Sequence, residues 1–122
     1  MVMAIKIVIV DDDPGFRDIL RMRLASEPDL EVLETAADGR QAIAAVRRHQ
    51  PDVIIMDVNM PELDGIETTR SLVFEAPEAR VIALSGVYDD RSRLAILEAG
   101  ASIFVRKDSS TDELLRAVRG SD

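Results

Sequence analysis

Ile5-Lys6-Ile7-Val8-Ile9-Val10 runs without a break into Asp11-Asp12-Asp13-Pro14. A half-exposed strand would alternate apolar and polar residues. This run does not, which suits a strand covered on both faces. The three adjacent carboxylates repel one another, and capping a following helix needs only one. Pro14 stands where a first helical turn tolerates it. A two-sided strand leading straight into a helix is the opening move of a strand–helix–strand unit.

The rest of the chain repeats that move. FRDILRMRLASE, residues 16–27, carries Phe16, Ile19, Leu20 and Leu24 at helical spacing. DLEVLETA (29–36) reads as a second strand, less apolar and nearer an edge. DGRQAIAAVRRHQ (38–50) follows as a helix with Ala42, Ile43 and Val46 on one face and Asp38 as its cap. PDVIIMD (51–57) is a third strand, NMPELDG a loop and GIETTRSLVFEA (65–76) a third helix. ARVIALS (79–85) is a fourth strand, and YDDRSRLAILEAG (88–100) a helix stopped by Gly100. ASIFVRK (101–107) is a fifth strand. The last helix, SSTDELLRAVRG, is capped by Ser109, Ser110 or Thr111 and closed by Gly120. Five strand–helix pairs in 122 residues predict one α/β domain, a parallel sheet with helices on both faces. Gly120 to Asp122 reads as the start of a linker.

Composition narrows the function classes. The chain has no cysteine, which removes disulfides, thiolate metal sites and cysteine nucleophiles. Its formal charge of -8 is the wrong sign for a nucleic-acid binder, so these residues alone make a poor DNA-binding module. The first apolar run is too short for a membrane span and lacks the form of a signal peptide. A cytoplasmic protein is expected.

In an open parallel sheet, ligands bind beyond the carboxyl ends of the strands. That rule gathers Asp11 and Asp12 from strand one, Asp57 from strand three, Ser85 from strand four and Lys107 from strand five. Clustered carboxylates repel, and a hard divalent cation relieves the repulsion. Mg2+ takes oxygen ligands and keeps several waters. His49 is the one histidine, which gives zinc little to work with. Lys107 adds a point charge, and the set can stabilise a transferring phosphoryl group from two sides. No Walker-type glycine loop is present, so nucleotide binding is not indicated. A carboxylate can itself accept the phosphoryl group. Asp57 is the candidate, because it ends the most hydrophobic central strand and stands apart from Asp11–Asp13.

The pieces IVIVDDDPGFR, PDVIIMDVNMPELDGIE, VIALSG and AGASIFVRKD, in this order and spacing, resemble the receiver domain of bacterial two-component response regulators. The resemblance covers essentially the whole chain, 1–122. It implies a flavodoxin-like doubly wound sheet of strand order 2-1-3-4-5. It implies that Asp57 is the phosphoacceptor, that Asp12 binds Mg2+ directly, that Asp11 orients a metal-bound water and that the Asn59 carbonyl is a further ligand. Ser85 would bond one phosphoryl oxygen and Lys107 another. The donor would be a phosphohistidine on a sensor histidine kinase, and the domain would slowly hydrolyse its own phosphoryl group rather than act as an enzyme on other molecules.

The resemblance also implies a switch. Ser85 would move toward the phosphoryl group, and Phe104 would turn inward, altering helix four, strand five and helix five from Tyr88 to Arg119. Phe104 lacks the hydroxyl of the commoner tyrosine, and its bland alternative is core packing. Asn59 and Val87 occupy positions that tune hydrolysis. Valine cannot hydrogen-bond an attacking water, so a long-lived phosphoryl group is expected. Lys107–Asp108 replaces a lysine and cis-proline pair, and with DDDPGFR and GIETTRSL it leans toward the LuxR-like helix-turn-helix subfamily. A DNA-binding output would then lie outside this chain. The alternatives are a stand-alone receiver or phosphorelay protein acting by protein contact, and a phosphorylation-independent dimerisation module. A homodimer is a possible assembly.

The remaining polar residues carry plainer expectations. Asp13 caps the first helix or faces solvent. His49 is a solvent-facing helix end, and Arg21, Arg23, Arg47 and Arg48 are solvated helix faces. Met56 packs, Met60 lies in the loop, and Asp64 and Gly65 shape the turn into the third helix, Gly65 by its permissive backbone.

Overall fold

The computed structural model describes residues 3–59, 64–86 and 89–120. The strands are β1 (Ile5–Val10), β2 (Leu30–Ala36), β3 (Val53–Asp57), β4 (Arg80–Ser85) and β5 (Ile103–Arg106). They alternate with α1 (Pro14–Ala25), α2 (Gly39–His49), α3 (Gly65–Glu75), α4 (Asp90–Ala99) and α5 (Thr111–Arg119). All strand pairs are parallel, in the order β2-β1-β3-β4-β5. The α/β class and the strand order are those expected from the sequence.

The unbroken apolar runs have a direct structural cause. Side chains alternate across a strand, and here both sides are covered. Val8, Val10, Ile54, Met56 and Ala83 point to one face, where Ala42, Ala45, Val46, Leu72 and Ile96 meet them. Ile7, Ile9, Ile55, Ile82 and Leu84 point to the other, against Leu20, Leu24, Leu115 and Val118. Every residue of β3 is buried, as a central strand requires. The less apolar β2 lies at an edge.

The helix ends follow side-chain chemistry. Asp13, Asp38, Asp64 and Ser110 are N-caps, their side-chain oxygens accepting first-turn N–H groups. The third aspartate of the opening run is therefore a cap. Gly100 ends α4 at φ 123, and a Cβ there would lie 2.8 Å from Val73 Cγ2.

Several details differ from the sequence reading. Ile19 is 51% exposed despite its helical spacing, because Leu20 and Leu24 fill the inward stripe of α1. Helix α4 begins at Asp90 with Asp89 as cap, two residues after the expected start. Gly65 is needed for space: a Cβ there would meet the Val58 carbonyl oxygen at 2.9 Å. His49 is half-buried and its Nε2 lies 2.8 Å from Glu34 Oε1, because the end of α2 packs beside β2. Arg48 shares that carboxylate, and Arg47 pairs with Glu75. Met60, Val87 and Tyr88 lie outside the described residues.

Candidate functional site

Backbone hydrogen bonds continue past the strand ends and hold the site loops to the sheet. Asp11 N donates to Ala36 O, Val58 N to Leu84 O and Lys107 N to Ser85 O. The side chains of Asp11, Asp57 and Lys107 are thereby fixed on one edge from residues far apart in sequence. Asp11, Asp57 and Ser85 are buried, and Asp12 is exposed.

Asp11, Asp12 and Asp57 each place a carboxylate oxygen within 4.8 Å of the others, the one such cluster among the described residues. Lys107 Nζ lies 2.9 Å from Asp11 Oδ2 and donates to Asp57 Oδ2 at 3.1 Å. Asp57 Oδ1 accepts from Asn59 N at 2.9 Å, and Asp11 Oδ1 from Asp13 N at 2.8 Å. Among the described residues, Asp11 Oδ2, although near the ammonium, has no donor aligned for a hydrogen bond. One ammonium against three carboxylates leaves a formal surplus of two negative charges.

Burial pushes the Asp11 carboxyl above its usual range, and neighbouring Asp57 adds to the rise; the Asp13 amide and Lys107 offset it only in part. For Lys107, burial works against the charged form, but Asp11 and Asp57 together outweigh it and hold the ammonium above its ordinary pKa. The donors suit a hard divalent cation: they are all carboxylate oxygens, they carry excess negative charge, and one is buried without an aligned donor.

Ser85 Oγ donates to Asn59 Oδ1, which also accepts from Gly86 N at 3.2 Å. The two loops are thus tied to each other. Ser85 and Asn59 also line a cleft with Asp64, Ser92 and Ile96, which leaves the hydroxyl room to change partner. Phe104 is half-buried against the core on the α4 side of the sheet. The peptide bonds of the described residues, Lys107–Asp108 included, are trans.

Sequence reasoning missed two groups that brace the site. Arg17 donates to the Asp11 carbonyl at 2.7 Å. The Phe16 ring lies under Lys107 Nζ, 4.2 Å from ring centroid to nitrogen. Both sit on the first turn of α1, and their proximity to the acidic run was the available signal.

A family model described as the response regulator receiver domain matches residues 7–119. The transcriptional regulatory protein DegU of Brevibacillus brevis is 41% identical over 116 residues, which cover 94% of this chain and 49% of DegU. The chain therefore spans about half the length of that curated relative. A LuxR-family two-component response regulator from Aurantimonas sp. SI85-9A1 superposes with TM-score 0.90 and 32% identity over 96% of this chain and 84% of that one. A chain of the CheX–CheY–BeF3–Mg2+ complex from Borrelia burgdorferi superposes with TM-score 0.88 and 28% identity, over 97% of this chain and 89% of that one. Among the described residues no helix is long and apolar enough to cross a membrane.

Proposed function

The chain belongs to the response regulator receiver family, and on that premise we propose that it is a switch whose Asp57 accepts a phosphoryl group from the phosphohistidine of a sensor kinase. The single observation that carries this reading is the meeting of Asp11, Asp12 and Asp57 with Lys107 at the carboxyl edge of the sheet. Asp12 and Asp57, with the Asn59 carbonyl and a water oriented by Asp11, would hold Mg2+. When bound, Mg2+ neutralises charge on the transferring phosphoryl oxygens; the Borrelia CheY complex, which contains Mg2+ and BeF3, supports that choice of cation.

The chain's own residues supply the rest. An Asp57 oxygen attacks phosphorus as the donor's P–N bond breaks, and the imidazole leaves with the bonding pair. The Asn59 N–H and the Lys107 ammonium, already on the two Asp57 oxygens, orient the nucleophile. Lys107 then pairs with a phosphoryl oxygen. Ser85 leaves Asn59 for another, pulling its loop with it, and Phe104 turns inward. The signal leaves through α4, β5 and α5 as a shift between two populated states. A valine side chain has no group that hydrogen-bonds an attacking water, so with valine at position 87 a long-lived phosphoryl group is expected.

The output is a DNA-binding domain of the LuxR-like type, separate from the receiver residues 7–119. The likeness to DegU, the likeness to the Aurantimonas LuxR-family regulator and the Lys107–Asp108 pair support that reading. A stand-alone receiver acting by protein contact is the second reading, favoured by the near-complete overlap with the chain of the Borrelia complex. The test is exposure of wild type and Asp57→Asn to a small phosphodonor with Mg2+, read by intact-protein mass. Modification of wild type alone is expected, and an unmodified wild type would sink the reading.

A further inference from the structure

Lys107 has a third neighbour besides its two carboxylates. Its Nζ lies 4.2 Å from the centroid of the Phe16 ring. Phe16 is held there by the Asp13 cap, whose carboxylate accepts from Gly15 N at 3.0 Å and Phe16 N at 3.4 Å. Its ring packs on the core face shared by α1 and α5. The six residues from Asp11 to Phe16 thus supply two acids of the cluster, a helix cap and a ring face for the ammonium.

An aromatic ring attracts an ammonium through its quadrupole. It carries no net charge and offers a hard cation no oxygen ligand. Of the carboxylates that hold Lys107, Asp57 would also bind a divalent cation and Asp11 would turn to one of its waters. A metal held by Asp12 and Asp57 therefore competes with the ammonium for these acceptors and repels it. The ring contact is not competed for. Lys107 is already 24% exposed, so a flexible stem released from its carboxylates could swing to solvent.

We infer that Phe16 is a positioning residue for phosphoryl transfer, its ring face keeping the Lys107 ammonium at the site when metal takes the carboxylate oxygens. The inference rests on Asp57 being the phosphoacceptor. An aliphatic residue of similar volume would fill the space without holding the charge.

Two measurements test it. The first is the proton chemical shift of the Lys107 ε-methylene in wild type and Phe16→Leu, in chelator and in saturating Mg2+. A ring above or below these protons shifts them upfield. The shift is expected in wild type under both conditions and absent in Phe16→Leu; its loss in wild type on adding Mg2+ would overturn the inference. The second is the rate of phosphorylation by phosphoramidate at saturating Mg2+, with Phe16 replaced by mono-, di- and trifluorophenylalanine. Fluorine drains negative charge from the ring face with little change in size. A graded fall of about three- to tenfold is expected, with Phe16→Tyr near wild type and the half-saturating donor concentration unchanged. Equal rates across the series beside a slow Phe16→Leu would assign the ring to packing and overturn the inference. No phosphorylation of wild type would instead sink the reading of Asp57, and the proton shifts would then decide whether the ring holds the lysine.

Discussion

At the edge where the strands begin, Arg119 donates to both carboxylate oxygens of Asp29 and to Glu27, while Arg80 donates to the carbonyls of Ala117 and Val118 at the end of α5. At the edge where the strands end, one lysine faces Asp11 and Asp57, and Asp12 stands beside them. The first arrangement pairs its charges: each arginine meets acceptors, and the Ala117 and Val118 carbonyls near the end of α5 are satisfied. The second carries more negative charge than it can neutralise and buries part of it. A fold does not need such an edge, and on the function proposed above the surplus is where a cation and a phosphoryl group would act.

The largest expected difference between the edges is in metal binding. Asp12→Ala should lower Mg2+ affinity by at least the about 10–100-fold that losing even an outer partner of a metal site costs. Arg119→Ala should leave the affinity unaltered, and calorimetric titration of both variants checks the contrast. Loss of Mg2+ binding in Arg119→Ala would mean the edges are coupled.

Next is Lys107→Met. Removing the ammonium leaves its carboxylates unpaired, and the metal-free protein should lose about 2–3 kcal/mol in urea unfolding. Mg2+ should restore part of that loss by binding the folded state. An unchanged denaturation midpoint would show that Lys107 does not relieve the cluster.

A smaller effect of opposite sign is expected for Asp11→Asn. With its folded pKa raised by burial, Asp11 favours folding below its unfolded value of 3.8, and that contribution is lost as pH rises through the folded value. The substitution should therefore stabilise metal-free protein at neutral pH, and the gain should vanish below about pH 3.8. Asp29 behaves in reverse. Its hydrogen bonds with Arg119 hold its pKa below 3.8, so the stability it contributes is present above that value and fades as pH falls through the folded pKa. Urea unfolding against pH in chelator reads both slopes. The smallest effect is Arg119→Ala, a slight destabilisation that disappears in high salt, because the pair is exposed and screened.

The sequence carried the elements well because both faces of the sheet are buried, and continuous runs such as VIIMD admit few other uses. The Asp38 cap was legible for a local reason, an Asp just before an apolar helical period, while Asp13 and Ser110 were each one of several options and Asp64 read only as a turn residue. The site acids were legible because a topological rule brings strand ends together. What stayed hidden needs contacts between elements. Arg80 at the start of β4 gives no local sign that it reaches the α5 carbonyls. His49 is an ordinary helix end until β2 brings Glu34 beside it. Ile19 and Leu20 are equivalent in composition and differ only in the angle at which α1 lies on the sheet. Phe16 fitted the apolar stripe so well that its second face, toward Lys107, was signalled only by its closeness to the acidic run.

The central claim is that the acidic edge exists to put a phosphoryl group on Asp57. Aspartyl phosphates are reduced by borohydride to homoserine, which fixes the site covalently. Protein treated with phosphoramidate and Mg2+, reduced and sequenced by tandem mass spectrometry should carry homoserine at position 57. Homoserine at 11, 12 or 13, or no homoserine at 57, would contradict the account.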